Sequence, residues 1–126
     1  MNQRTRIKIC GIGREADVQA AVDAGADAIG FVFYPKSPRR LTLARAAELA
    51  RLLPPFVAPV GLFVNATATE IAAALESIPS LLLQFHGDET PALCARFKRP
   101  YLKAARMAAG FDLLDFARQF AGAQAV

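Results

Sequence analysis

The chain has 126 residues, 54% of them hydrophobic and 21% charged, with 15 Lys and Arg against 11 Asp and Glu for a net charge of +4. That length suits one domain. The apolar content excludes a disordered chain, and the long stretch from Pro54 to Ala68 is broken by three prolines and excludes a membrane span.

In chain order, short β-prone runs alternate with helical ones. The strand-like runs are Arg6–Cys10, Ala28–Tyr34, Val60–Asn65, Leu81–Phe85 and Tyr101–Ala105. The helical runs are Arg14–Ala24, Leu43–Leu53, Ala68–Ser77, Pro91–Phe97 and Leu113–Phe120, rich in Ala, Leu, Glu and Arg. Several boundaries carry their own chemistry. Gly25 and Gly122 stand where a left-handed C-terminal residue is wanted, and Pro54–Pro55 stop the second helix. Thr67 with Glu70 fits a capping box, Thr90–Pro91 fits an N-cap followed by proline at the first helical position, and Asp112 can cap the fifth helix. Ala123–Val126 reads as the start of a sixth strand.

This alternation, with apolar runs such as Ile29–Phe33, argues for a parallel sheet covered by helices. Two architectures fit: a complete five-stranded, doubly wound, flavodoxin-like sheet, or the first part of a (β/α)8 barrel of ~200 or more residues. Periodicity alone favours the first, because nothing is then missing.

Charge is scattered except at Lys36, Arg39 and Arg40. With no recognition-helix pattern and no interleaved aromatics, the basic balance points to a small anion rather than nucleic acid. Cys10 and Cys94 match neither a metal spacing nor a disulfide framework, and the basic N-terminus lacks the apolar run of a secretory signal. A reducing cytoplasm is the expected setting.

Three segments could carry chemistry. In Lys8–Gly11, alternation puts Lys8 and Cys10 on one face of the strand and Ile7 and Ile9 on the other. In a barrel the isoleucines would meet the helices, and Cys10 would stand at the C-terminal rim, where a lysine ammonium below it favours a thiolate able to take a proton. The alternative is a small thiol filling a gap in the core. The loop Pro35–Arg40 holds two prolines, Lys36, Ser37 and two arginines. It reads either as a stiffened guanidinium grip for a carboxylate or phosphate, or as a solvated basic turn. In Gln84–Glu89, His86 falls at a strand end and could bond a ligand, move a proton or cap the loop. Asp88 and Glu89 suit the dipole of the following helix. Cys94 reads as packing. No P-loop, dinucleotide fingerprint or metal-ligand cluster occurs.

KICG at Lys8–Gly11, GADAIGFVFYPKSPR at Gly25–Arg39, LPPF at Leu53–Phe56, VGLFVN at Val60–Asn65 and QFHGDE at Gln84–Glu89 stand in order across residues 6–126. Together they resemble the phosphoribosylanthranilate isomerase family, a (β/α)8-barrel enzyme of tryptophan biosynthesis. The resemblance reverses the preference drawn from periodicity. The expected fold is α/β: a (β/α)8 TIM barrel, a single incomplete domain over residues 1–126, truncated to about five βα units plus the start of a sixth strand, roughly the N-terminal 60% of a barrel.

It implies a cofactor-free and metal-free Amadori rearrangement of N-(5′-phosphoribosyl)anthranilate to 1-(2-carboxyphenylamino)-1-deoxyribulose 5-phosphate. Cys10 corresponds to the general base and Arg39 to the arginine that approaches the anthranilate carboxylate. His86 matches a rim position and is grouped with the substrate-binding residues. The chain departs from the family at Gly13, where Thr or Ser is common, at Arg40, where an aromatic is usual, and at Phe85, where leucine is usual. The family's aspartate acid and its phosphate-binding loops fall beyond Val126, so these residues alone are expected to be weak or inactive. Open sheet edges should favour a homo-oligomer or edge-to-edge association. The remaining alternative is a non-catalytic small-ligand or regulatory module built on a self-contained flavodoxin-like sheet.

Overall fold

The computed structural model describes residues 4–126. Its strands are β1 (Lys8–Cys10), β2 (Ala28–Val32), β3 (Ala58–Phe63), β4 (Leu82–Phe85) and β5 (Tyr101–Lys103). Its helices are α1 (Glu15–Asp23), α2 (Leu43–Ala50), α3 (Ala68–Ser77), α4 (Pro91–Ala95) and α5 (Leu113–Gln119). The strands run parallel in the order β1-β2-β3-β4-β5.

That order decides between the two architectures. A flavodoxin-like sheet reverses its strand order at a switch point and takes helices on both faces. Here every strand lies beside its predecessor, so right-handed crossovers put all the helices on one face, as in a barrel wall. The doubly wound alternative is therefore wrong. The winding continues past α5: Gln124 N–H donates to Tyr101 O at 2.8 Å, Lys103 N–H donates to Ala125 O at 3.0 Å, and Leu102 and Ala125 form a parallel bridge. Ala123–Val126 thus begin a sixth strand, as their sequence suggested.

Registers sort the two faces of the sheet. Ile29, Phe31, Phe63, Leu83, Phe85 and Tyr101 face the helices and are buried against Val18, Leu49, Ile71, Ile78 and Phe120. Cys94 joins this core as a packing residue, and burial pushes its thiol up to about 11. By alternation, Cys10, Val60, Leu62, Gln84 and Leu102 occupy the opposite face.

Local chemistry explains most helix starts. Thr42 and Thr90 accept N–H bonds from Arg45 and Leu93, Thr67 and Glu70 make the full capping box, and Asp112 accepts from Asp115. Other expectations fail. Ile7 and Ile9 are 46% and 40% exposed, β2 being the one strand beside β1 among the described residues. Gly122 is not left-handed. Phe120 ends α5, the positive-φ glycines are Gly11, Gly25 and Gly110, and Gly122 instead lets the backbone pass the Tyr101 hydroxyl, 3.3 Å from where a Cβ would stand. β2 ends at Val32, not Tyr34, because Leu41 N–H bonds Val32 O at 2.9 Å as the loop folds back.

Two surface clusters tie the layers together. Asp27 is bonded by the Arg4 guanidinium and by Ile7 N–H at 2.8 Å, which hold its carboxyl at about 2. Glu15 on α1 takes a two-pronged bond from Arg45 of α2 at 2.6 and 2.7 Å, which likewise holds it at about 2. Both values lie below the usual carboxylate range, so the stability these groups add is complete above their unfolded pKa of ~4 and drains away as pH falls through it. The urea midpoint should therefore drop between pH ~4.5 and ~2. In Asp27→Asn the drop should be smaller, and an unchanged profile would contradict this assignment.

Candidate active site

The C-terminal ends of β1, β2 and β4 bring the singled-out residues to one rim of the sheet. Cys10 closes β1 directly beside Gly30 of β2. A Cβ on Gly30 would lie 2.8 Å from the Cys10 Sγ, so the absent side chain provides the space in which the thiol sits. Cys10 is half-buried and unpaired to any other sulfur. The chain then turns through Gly11, φ +82°, whose N–H bonds Gly30 O at 2.9 Å. A left-handed residue there favours glycine.

Arg39 lies across that turn. The loop before it is shaped by Ser37 N–H to Tyr34 O at 3.0 Å and by Arg39 N–H to the Ser37 hydroxyl at 3.2 Å. The side chain folds over Gly11 so closely that a Cβ there would collide with the guanidinium, and Nη1 donates to the Cys10 carbonyl at 3.3 Å. Arg39 is exposed but anchored by this one bond, so its side chain is not simply extended into solvent. Its other guanidinium N–H groups have no hydrogen-bond partner among the described residues. Lys36 remains exposed, as a solvated turn would have it.

His86 follows β4 at the same rim and is exposed. Only its backbone is engaged: its N–H bonds Phe63 O at 2.9 Å, and its carbonyl accepts from Arg106 at 3.4 Å. No contact joins its imidazole to Cys10 or Arg39 among the described residues. The cap of its loop is a different residue.

That residue is Glu89, which sequence reasoning assigned to the dipole of α4. Its carboxylate is buried. Oε1 accepts from Gly87 N–H at 2.8 Å and from the Lys103 ammonium at 3.0 Å, and Oε2 accepts from Asn65 N–H at 2.8 Å. Lys103 also donates to Gly87 O at 2.6 Å and lies over the Phe120 ring, 5.4 Å from its centroid. Burial pushes the Glu89 carboxyl up, but the backbone N–H bonds and the ammonium outweigh it, and the group lies below its usual range. One pair thus clamps the loops after β3 and β4. The missed signal was Lys103, a charge at a core-facing position two residues after Tyr101.

A parallel sheet wound in chain order, with its helices on one face, defines a (β/α)-barrel type of protein, and Cys10 and Arg39 lie at the C-terminal end of its first two strands. Residues 7–126 match the family of N-(5'-phosphoribosyl)anthranilate (PRA) isomerase, and the chain belongs to that family. It is 70% identical over 123 residues to an N-(5'-phosphoribosyl)anthranilate isomerase of Methylibium petroleiphilum and 67% identical to one of Leptothrix cholodnii. The alignments cover 98% of this chain but 58% and 56% of those proteins. Among solved structures, the phosphoribosyl anthranilate isomerase of Thermus thermophilus superposes with a TM-score of 0.83 at 35% identity, over 91% of this chain and 58% of that one. An isomerase in complex with reduced 1-(o-carboxyphenylamino)-1-deoxyribulose 5-phosphate superposes with a TM-score of 0.81 at 37% identity, over 91% and 59%. The chain therefore spans little more than half the length of the relatives it matches.

Proposed function

We propose that this chain carries the proton-abstracting and carboxylate-binding part of an isomerase that rearranges N-(5′-phosphoribosyl)anthranilate to 1-(2-carboxyphenylamino)-1-deoxyribulose 5-phosphate. The observation that supports it most is the placement of the Arg39 guanidinium over Gly11, bonded to the carbonyl of the same residue whose thiol sits in the notch above Gly30. A carboxylate on the open side of that fork lies next to a sulfur base.

Once the sugar ring has opened to the protonated Schiff base, the Cys10 thiolate takes the proton from C2′. The electrons of the C2′–H bond form the C1′–C2′ double bond, and the C=N electrons return to nitrogen. The resulting enolamine tautomerises to the ketone, so no electron leaves the substrate and no redox cofactor is called for. Arg39 holds the anthranilate carboxylate, which fixes the sugar carbon relative to the sulfur. His86, with its side chain uncommitted at the rim, is a ligand-facing donor. The same reading puts the chain in the cytoplasm, where Cys10 stays reduced, and pairs it with a second copy. One solved relative, from Thermotoga maritima, is described as dimeric.

The anthranilate ring fluoresces, so titration with the reduced product analogue reads binding directly. Arg39→Ala should weaken it ~10-fold or more, the scale of one charged hydrogen bond. Equal affinity in the variant would remove Arg39 from the site.

A further inference from the structure

A separate cavity opens at the same end of the sheet but on its helix-covered side, and neither Cys10, Arg39 nor His86 lines it. It holds about 420 Å³ between the starts of α2 and α3, within the range of small-molecule sites. Phe33 and Phe63, stacked with ring centroids 5.3 Å apart, form one side, and Leu41, Leu43 and Ala73 add further apolar surface.

Two opposite charges also line this space, Arg40 and Glu70. The consecutive arginines of the loop diverge, Arg39 lying over Gly11 and Arg40 lining the cavity. The backbone of Arg40 is fixed by its N–H to Ser37 O at 3.1 Å and by its bridge to Val32, while its guanidinium has no acidic partner among the described residues. Glu70 is fixed as well. Its Oε2 accepts from Thr67 N–H at 2.7 Å and from the Thr67 hydroxyl at 2.9 Å, and Oε1 has no partner among the described residues. These bonds hold its carboxyl below the usual range, so it is ionised at neutral pH. The two charges do not pair with each other.

We propose that this cleft binds a free α-amino acid with an aromatic or branched apolar side chain, its carboxylate on Arg40, its ammonium on Glu70 and its side chain against Phe33 and Phe63. A simple carboxylate would meet the Glu70 charge and a simple amine that of Arg40, whereas a dipolar ligand satisfies both. The apolar walls then select the side chain.

The test is a ¹⁵N–¹H spectral titration with L-phenylalanine. Saturable shifts are expected at the amides of Leu41, Leu43, Val64 and Ala73. Arg40→Gln should weaken binding ~10-fold or more, and so should replacing the ligand by L-phenylalaninamide or N-acetyl-L-phenylalanine, each of which lacks one charge. Ala73→Phe, which fills the space, should abolish the shifts. Hydrocinnamate binding as tightly as L-phenylalanine, Ala73→Phe titrating like the parent, or no saturable shift in the parent would each overturn the proposal.

Discussion

Lys103→Met should lower the free energy of unfolding by ~3–5 kcal/mol, because it leaves the Glu89 carboxylate buried without its counter-charge. The side chains of Lys103 and Glu89 are 2% and 1% exposed, so water cannot take over. Methionine is close to lysine in bulk and fills the space beside Phe120 without a charge, so the loss reports the ammonium as a whole: its pairing with Glu89, its bond to Gly87 O and its place over the ring. The double variant Lys103→Met, Glu89→Met should regain part of the loss, since an apolar pair often replaces a buried ion pair without penalty. Recovery should stay incomplete. Asn65 N–H and Gly87 N–H lose the acceptor that Glu89 gave them, and Gly87 O loses the ammonium, each worth ~1–3 kcal/mol when left unsatisfied. Urea unfolding of the parent, single and double variants measures all three quantities. A single-variant loss within ~1 kcal/mol would show that the pair is not the clamp of these loops.

The second large effect concerns Cys10. Joining this chain to the remaining C-terminal part of the Methylibium petroleiphilum relative, to which it is 70% identical, gives a full-length hybrid in which turnover of N-(5′-phosphoribosyl)anthranilate can be followed. The hybrid should isomerise its substrate, and Cys10→Ala should reduce kcat by ~10²–10⁴-fold, the usual contribution of one positioned base. KM should change little, because the proposal gives the carboxylate grip to Arg39 and not to the sulfur. A KM effect with kcat intact would make Cys10 a binding residue instead.

Features set by neighbours in the chain were legible in the sequence. The caps at Thr67, Thr90 and Asp112 and the left-handed Gly25 each depend on a few adjacent residues, and all four stand as expected. Gly122 failed because proximity to a helix end says nothing of how the next segment must run, here past Tyr101 into a bridge at Ala125. Strand order was invisible to periodicity, which is the same for a sheet wound in one direction or two, and only the matched motifs pointed to the barrel. Cys10 and Arg39 could be singled out one by one. Their meeting depends on Gly11 and Gly30, whose role is to be absent as side chains. Glu89 was misread because its partner lies fourteen residues on, in a strand whose core-facing side could be identified only from the register.

The claim on which the account turns is that the Cys10 thiol stands inside the ligand site, beside the carboxylate held by Arg39. Its alkylation rate by iodoacetamide, measured with and without the reduced product analogue, tests this most directly, with buried Cys94 as the internal control. A slowing of Cys10 of ~10-fold or more at saturating analogue, lost in Arg39→Ala, is the expected result. An unchanged rate with the analogue bound would place the ligand elsewhere and contradict the account.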